Sequence, residues 1–256
     1  MSITPYPDID ELLQSLLDQI QHILKTKLRG LYLYGSLVTG DFDRDISDID
    51  LVAVLASDVD NTDFARLQKM HHDFAAAHPT WDDRIEVAYL SADALKTFRS
   101  QLSKMAAISP GEPFNLKDAG RDWLINWWVV REKGVTLFGP PPTTFIDPIS
   151  KEEFLQVVQD HIKYWLEWVY QMERRPSQAY VILTMCRALY AFHNGAQVSK
   201  RQAAQWVQER YPQWAPLIRE ALVWRAAWQD KDVDHAATLP AAVSFVHFAA
   251  SEILPK

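Results

Sequence analysis

The chain has 256 residues, of which 48% are hydrophobic and 23% are charged, and its net charge is −7. This composition provides enough apolar side chains for one large or two small domains and excludes a wholly disordered protein. The acidic balance argues against a nucleic-acid polymer as the main ligand, because phosphate backbones require surfaces rich in Lys and Arg. The same balance is compatible with a small cationic substrate.

The chain also carries signals about its compartment. Its single cysteine, Cys186, excludes an internal disulfide and fits a reducing environment. This residue lies in an apolar helical stretch, so we interpret it as a packing residue rather than a nucleophile. No run of 18 apolar residues occurs, and the N-terminal sequence MSITPYPDID is not a signal peptide. We expect a cytoplasmic monomer that does not contact a membrane.

The first predicted element is a helix over residues 8–24. Asp8 to Glu11 has the composition of an acidic capping box, and apolar residues then recur at three-and-four spacing. The resulting apolar stripe should cover one face of a sheet.

Two short apolar runs, 31–34 and 51–55, follow this helix and predict two strands, because they contain aromatic and β-branched residues and are separated by glycine-containing segments. Since side chains alternate along a strand, Asp48 and Asp50 should share one face, about 7 Å apart. Two carboxylates placed in this way suit Mg²⁺, whose coordination is usually completed by substrate phosphates.

The segment between the two runs has other features of a phosphate site. Gly35 permits a sharp turn, and Ser36 offers a hydroxyl and an N–H near the start of a short helix, where anions bind readily. An acidic surface hairpin is the alternative interpretation. A calcium loop is excluded, because Ile46 and Val52 occupy the positions where an EF-hand requires glycine and glutamate.

A helix over 61–77 and a third strand over 84–90 come next. His71 and His72 are consecutive and cannot share a helix face, so we expect one to be packed and the other exposed, without a metal role. Glu86 lies in the middle of the third strand, where a charge is rarely buried without a partner. It is either a functional carboxylate or an edge-strand residue that pairs with Arg84 or faces solvent.

The remainder of the first half is less regular. Ser91 should cap a short helix that ends at Phe98, and residues 100–117 are predicted to form an irregular loop. Residues 121–131 predict a helix whose three tryptophans pack inside the protein. The prolines at 140–142 break the chain, so we predict domains at 1–140 and 150–256.

The second half has only helical patterns. Ser150 and Glu153 form a predicted capping box, and Gly195 and Pro212 mark interruptions between helices. The predicted helices span 151–172, 178–193, 200–210, 214–229 and 240–253. The expected fold class is therefore α+β: a mixed sheet flanked by helices, followed by an all-α helical bundle.

Gly35-Ser36, followed after an acidic loop by Ser47 and by Asp48-Ile49-Asp50, resembles the signature of the polymerase-beta-like nucleotidyltransferase superfamily. The segment 183–210 resembles the helical domain of the aminoglycoside 3''/9-adenylyltransferases. The resemblance implies an enzyme with a nucleotidyltransferase domain, a helical domain that closes the active-site cleft, ATP as co-substrate and two Mg²⁺ ions when ATP is bound.

The resemblance also implies roles for individual residues. Asp48 and Asp50 correspond to metal ligands, and Glu86 corresponds to the general base. The implied nucleotide-binding residues are Gly35, Ser36, Ser47, Asp122, Arg187 and Lys200. The implied reaction is transfer of AMP from ATP to a hydroxyl of a small, cationic acceptor such as an aminoglycoside, with release of pyrophosphate.

The acceptor half of the site departs from this family. Ser177 occupies a position where the family has an acidic residue, and Lys104 falls where it has a tryptophan. Glu173 could supply one carboxylate to the acceptor. Three alternatives therefore stay open: a different small acceptor, a protein acceptor, and a nucleotide-binding regulatory module without catalysis.

Overall fold

The computed structural model describes residues 2–226 and 234–255. The chain divides into two compact units, Met1–Ile149 and Ser150–Lys256. The first unit contains a mixed sheet with helices, and the described part of the second unit contains helices and no strand. The predicted α+β class is confirmed.

The first unit is built on a six-stranded sheet. Its strands are β1 (Leu28–Tyr34), β2 (Ile49–Leu55), β3 (Ile85–Ser91), β4 (Ser103–Ser109), β5 (Glu112–Ala119) and β6 (Val135–Phe138). Their spatial order is β5-β4-β3-β2-β1-β6. The β2–β3 pair is parallel, and every other neighbouring pair is antiparallel.

Five α-helices are described in each unit. Those of the first unit are α1 (Pro7–Leu24), α2 (Ser36–Thr39), α3 (Asn61–Ala77), α4 (Ala92–Thr97) and α5 (Leu124–Lys133). Those of the second unit are α6 (Lys151–Trp168), α7 (Arg175–Asn194), α8 (Lys200–Arg210), α9 (Ala215–Ala226) and α10 (Leu239–Ile253). The end of the predicted helix 214–229 lies outside the described residues.

One face of the sheet forms the main hydrophobic core of the first unit. The apolar stripes of α1 and α3 pack there against the apolar odd-numbered residues of β1, β2 and β3, which are almost fully buried. The side chains on this face are those of Leu31, Leu33, Ile49, Leu51, Ala53, Leu55, Ile85, Val87 and Tyr89. Because side chains alternate along a strand, the even-numbered residues of these strands point to the other face.

Helix α3 confirms two predictions. It spans the predicted residues, and its N-cap residue Asp60 accepts hydrogen bonds from the backbone N–H groups of Thr62 and Asp63. His71 is buried and His72 is exposed, as the sequence predicts. The predicted cap of the following short helix is also confirmed, because the Ser91 hydroxyl accepts from the N–H of Ala94.

The prediction of an acidic capping box at the first helix is wrong. Tyr6 is the N-cap residue and makes no capping bond through its side chain, while Pro7 occupies the first turn. The Asp10 carboxylate instead accepts hydrogen bonds from the N–H groups of Ile3 and Thr4 at 3.0 and 2.8 Å. It therefore anchors the segment that precedes the helix.

The prediction of an irregular loop over residues 100–117 is also wrong. This segment forms the antiparallel hairpin of β4 and β5, which turns at Pro110 and Gly111. Gly111 has a φ of +79°, a conformation that glycine adopts without strain. Pro113 lies in β5, which is an edge strand. Proline lacks an N–H group, but on the outer side of an edge strand there is no neighbouring strand to which that group would donate.

The described part of the second unit is a helical bundle centred on α7, which packs against α6, α8, α9 and α10. The predicted capping box at Ser150 and Glu153 is confirmed. Cys186 is fully buried, and this burial raises the pKa of its thiol well above its usual value, in agreement with a packing role. The segment Ala236–Ile253 has the length and composition of a membrane span, a test that core helices also pass, and 33% of it is buried.

Candidate active site

Four neighbouring strands place polar side chains in one row across the sheet. Tyr34 on β1 pairs with Asp50 on β2, and Asp50 pairs with Glu86 on β3. Val87 pairs with Ile108, so the next residue along β4, Ser109, lies beside Glu86. Directly opposite residues project to the same side of a sheet. This row therefore lies on the face opposite to α1 and α3.

A hydrogen bond crosses this row. The Tyr34 hydroxyl donates to Oε1 of Glu86 at 3.1 Å, past the intervening strand β2. Burial raises the pKa of Tyr34 well above its usual value, and the neighbouring charges of Glu86, Asp50 and Asp48 raise it further. Tyr34 is therefore a neutral donor to this carboxylate, surrounded by the three acidic side chains that the sequence singled out.

The environment of Glu86 differs from that of a surface carboxylate. Burial raises the pKa of Glu86, and the charge of Asp48 acts in the same direction. Hydrogen bonds from Tyr34 and Ser109 and the charge of Lys117 lower this pKa in part. The interpretation of Glu86 as an edge-strand residue paired with Arg84 is wrong, because β3 lies between β2 and β4.

Arg84 anchors the loop that leads to Asp48. Its Nε and Nη2 donate to the carbonyl oxygen of Ser47 at 3.1 and 2.6 Å, and Nη2 also donates to the carbonyl of Arg44 at 2.6 Å. The guanidinium lies 4.6 Å from the ring centroid of Trp81. Burial lowers the pKa of Arg84, whereas nearby aspartates including Asp48 raise it. This arginine fixes the backbone immediately before Asp48.

Gly35 and Ser36 lie directly beside Asp50. Gly35 has a φ of +73°, and a Cβ at this position would collide with Oδ2 of Asp50. Only glycine therefore permits this close approach of the backbone to the carboxylate. The Ser36 hydroxyl, at the first residue of α2, is buried and has no hydrogen-bond partner among the described residues. A buried hydroxyl without a partner costs free energy, and a ligand oxygen would relieve this cost.

Ser47 is buried for a different reason. Its hydroxyl accepts a hydrogen bond from the backbone N–H of Asp43 at 2.9 Å and so closes the acidic loop. The hydroxyl keeps its own proton for donation to another acceptor. In the structure Ser47 therefore has a structural role in closing this loop.

The acidic side chains fit a magnesium ion that binds together with a nucleotide. Among the described residues, no group of three His, Cys, Asp or Glu side chains is arranged to hold a metal ion without another ligand. Mg²⁺ is usually held by one or two carboxylates together with substrate phosphates, so a complete protein cage is not required. Asp48 and Asp50 are half-buried, and the Ser36 hydroxyl beside Asp50 lacks a partner among the described residues.

The two cations that the resemblance implies, Arg187 and Lys200, lie in the second unit. Arg187 lies on α7, and its Nε is buried without a hydrogen-bond partner in the described part of the chain. Lys200 is the first residue of α8, and its Nζ lies 5.1 Å from the ring centroid of Tyr180. Tyr180 and Arg187 are seven residues apart on α7 and share one helix face. Both cations are thus associated with the same face of α7.

The other predicted residues lie at exposed positions. Asp122 accepts a hydrogen bond from the N–H of Gly120 at 3.0 Å, just before α5. Glu173 is exposed between α6 and α7. Lys104 forms an ion pair with Asp118, its cross-strand neighbour, at 2.6 Å. The charge of Lys104 is therefore paired within the hairpin.

Sequence reasoning missed three residues around Glu86. The sequence identifies Tyr34 only as part of an apolar run and places Ser109 and Lys117 in a predicted loop, whereas the structure brings all three to Glu86. The pair Pro110-Gly111 was the available signal, because a turn between two apolar segments indicates a hairpin. That hairpin places Ser109 and Lys117 near Glu86.

Two protein-family models match the chain. The model of the nucleotidyltransferase domain matches residues 13–107, and the model of the aminoglycoside adenylyltransferase C-terminal domain matches residues 144–252. An aminoglycoside (3'') (9) adenylyltransferase of Escherichia coli is 24% identical, over 96% of this chain and 95% of the relative. A protein of the same description from Rhizobium radiobacter is 29% identical, over 48% of this chain and 45% of the relative.

A solved structure shows the same fold. Spectinomycin adenyltransferase from Enterococcus faecialis, crystallised with ATP and spectinomycin, matches with a TM-score of 0.73 and 15% sequence identity. The match covers 94% of this chain and 98% of that protein.

Proposed function

We propose that this chain, whose two parts match the models of the nucleotidyltransferase domain and of the aminoglycoside adenylyltransferase C-terminal domain, transfers AMP from ATP to a hydroxyl group of an aminoglycoside. Pyrophosphate is the second product. The observation that carries this proposal is the row in which Asp50 and Glu86 are direct neighbours on parallel strands, with the Tyr34 hydroxyl bonded to Glu86.

The reaction is the attack of an acceptor hydroxyl on the α-phosphorus of ATP. A new P–O bond forms to the acceptor, the bond between the α-phosphorus and the bridging oxygen breaks, and pyrophosphate leaves with that oxygen. Glu86 takes the proton of the attacking hydroxyl. A carboxylate whose pKa is raised by burial is a better proton acceptor than an ordinary surface glutamate, provided that it is ionised at the working pH.

The phosphates carry most of the charge in this reaction, so their binding dominates the proposed roles of the other residues. Asp48 and Asp50 would hold Mg²⁺, which supplies charge neutralisation at the phosphate oxygens when it is bound. Gly35, Ser36 and Ser47 would bind phosphate oxygens. Two ions would bind when ATP is present, as the resemblance to the superfamily implies.

Residues elsewhere in the chain would supply positive charge to the phosphates and a contact to the nucleotide. Arg187 and Lys200 would bind the phosphates, and the unpartnered Nε of Arg187 among the described residues supports a ligand contact there. Asp122 would contact the nucleotide. The enzyme would act in the cytoplasm as a monomer, without a membrane or nucleic-acid partner.

The acceptor would be recognised in part by the helical unit. Glu173 offers an exposed carboxylate to a cationic sugar. Tyr164 and Trp168 on the preceding helix are exposed and stack on each other, with ring centroids 4.9 Å apart. Exposed aromatic faces attract ammonium and guanidinium groups. Because Ser177 replaces an expected acidic residue, a different small hydroxyl-bearing acceptor is the second candidate.

The test is pyrophosphate release from Mg·ATP with no acceptor, with streptomycin and with spectinomycin. Release that depends on either drug, and that is lost in Asp50→Asn, is the expected result. Mg·ATP binding without drug-dependent release would contradict the aminoglycoside as acceptor and direct the search to other small molecules. Absence of Mg·ATP binding in the folded protein would overturn the proposed function as a whole.

A further inference from the structure

Tyr34 is a buried tyrosine whose hydroxyl contacts a carboxylate of the candidate site. Tyr34 is 6% exposed, and most of its ring is enclosed, yet its hydroxyl reaches the half-buried carboxylate of Glu86. It donates to Oε1 of Glu86 at 3.1 Å across the position of Asp50. From the other side, the Ser109 hydroxyl on β4 also bonds to Glu86. The carboxylate is thus held by donors from β1 and β4.

We propose that Tyr34 is a positioning residue for the transfer reaction. Its hydroxyl fixes the orientation in which the Glu86 carboxylate removes the proton of the acceptor hydroxyl, and Ser109 is the second support. This inference rests on the proposed function. A glutamate side chain has three rotatable bonds, and its terminal torsion is broad, so an unsupported carboxylate samples several orientations. General-base catalysis requires the carboxylate oxygen to lie within hydrogen-bond reach of the proton that it removes.

The two supports leave the carboxylate able to act as a base. A carboxylate has about four lone-pair sites on its two oxygens, and the bonds from Tyr34 and Ser109 occupy two of them. The remaining sites can accept the proton of the acceptor hydroxyl. Because small misplacements of a catalytic group reduce rates strongly, loss of one support should lower the rate of transfer without affecting nucleotide binding.

The chain offers a matched control two residues earlier. Tyr32 lies on the same strand and the same face as Tyr34, is fully buried, and donates through its hydroxyl to the carbonyl of Pro140 at 2.7 Å. Tyr32→Phe and Tyr34→Phe therefore remove the same atom and one buried hydrogen bond each. Only Tyr34→Phe removes a contact to Glu86.

The experiment is a double-mutant cycle with Tyr34→Phe and Glu86→Gln, measured by pyrophosphate release with the aminoglycoside that supports turnover. Tyr34→Phe should lower kcat about tenfold to a hundredfold, the range for a lost hydrogen bond to a charged group, with the affinity for Mg·ATP unchanged. In the Glu86→Gln background the same substitution should lower kcat less than about twofold, because the base that it positions is absent. Tyr32→Phe should retain wild-type kcat.

Three results would overturn the inference. They are an unchanged kcat in Tyr34→Phe, an equal loss of kcat in the Glu86→Gln background, or a parallel loss of kcat in Tyr32→Phe. If Glu86→Gln itself keeps full activity, the assignment of the base fails instead. If the wild type shows no turnover, crystal structures of the two tyrosine variants decide the point: a single Glu86 conformer in Tyr34→Phe would refute the positioning role.

Discussion

Strand β3 carries a hydrogen-bonded pair of a tyrosine and a titratable residue on each of its two faces. On one face Glu86 accepts from Tyr34 at 3.1 Å. On the other face, Tyr89 lies 2.8 Å from Nε2 of His71 on α3. The two pairs have similar chemistry and similar geometry, but their surroundings differ.

The His71–Tyr89 pair is enclosed by apolar groups. The His71 ring stacks on Phe114 with ring centroids 5.5 Å apart, and both members of the pair are buried. Burial lowers the pKa of His71 to about 4, so the imidazole is neutral near pH 7. Glu86, in contrast, is half-buried beside Asp50 and near Asp48 and Lys117. Solvent access and neighbouring charge, rather than the hydrogen bond itself, distinguish the Tyr34–Glu86 pair, for which we propose a role in catalysis, from the structural His71–Tyr89 pair.

The largest effect should come from Asp50→Asn on the site face. The substitution keeps the shape of the side chain and removes the charge that would hold Mg²⁺, so we expect transfer to fall by about 10⁴-fold or more. Circular dichroism should show an intact fold, and pyrophosphate release measures the loss. An Asp50→Asn enzyme with substantial activity would contradict the metal assignment.

Glu86→Gln tests the base directly. Loss of a general base typically lowers a rate by about 10²- to 10⁴-fold, and we expect kcat to fall within this range while Mg·ATP still binds. Isothermal titration calorimetry measures the nucleotide affinity, and pyrophosphate release measures kcat. If nucleotide binding disappears together with activity, Glu86 is a metal ligand rather than the base.

His71→Gln tests the core face. The native His71 takes a proton only near pH 4, whereas the unfolded residue takes it near pH 6.5. Between these values the unfolded state binds more protons, so the wild-type stability should fall as the pH falls, by about 3 kcal/mol in total from this residue. Urea unfolding across this range should show a weaker pH dependence in His71→Gln, with kcat at pH 7.5 unchanged. An identical pH dependence in both proteins would show that His71 does not titrate in this way.

Arg84→Ala should have the smallest effect of these four substitutions. It removes the bonds to the carbonyls of Ser47 and Arg44 and the contact with Trp81, and we expect a loss of about 2 kcal/mol in the free energy of unfolding. Because the same loop leads to Asp48, the KM for Mg·ATP should rise as well. Arg84→Lys is the control, since it retains the charge but lacks the forked geometry. Unchanged stability in Arg84→Ala would show that the loop is fixed by other contacts.

Much of the fold follows from local sequence patterns. The period of apolar residues predicts α1 and α3, the serine capping box predicts the start of α6, the apolar run 51–55 predicts β2, and alternation predicts β3. Each of these signals acts within a few residues of the chain, so it can be found without knowing the tertiary structure. The Asp48–Asp50 pair and Glu86 were found in the same way, from their positions at or beside predicted strands.

Other features depend on pairing between distant segments. The β4 sequence contains two alanines and β5 contains Pro113, so neither resembles a strand by itself. Strand β6 has only four residues and directly follows α5. These strands exist because their neighbours offer unsatisfied backbone groups to pair with. The motif and strand pattern are sufficient to propose the carboxylates of the candidate site, Asp48, Asp50 and Glu86. The placement of Tyr34 and Ser109 beside Glu86 cannot be found from local patterns, because strand order and register bring together residues that are far apart in the chain.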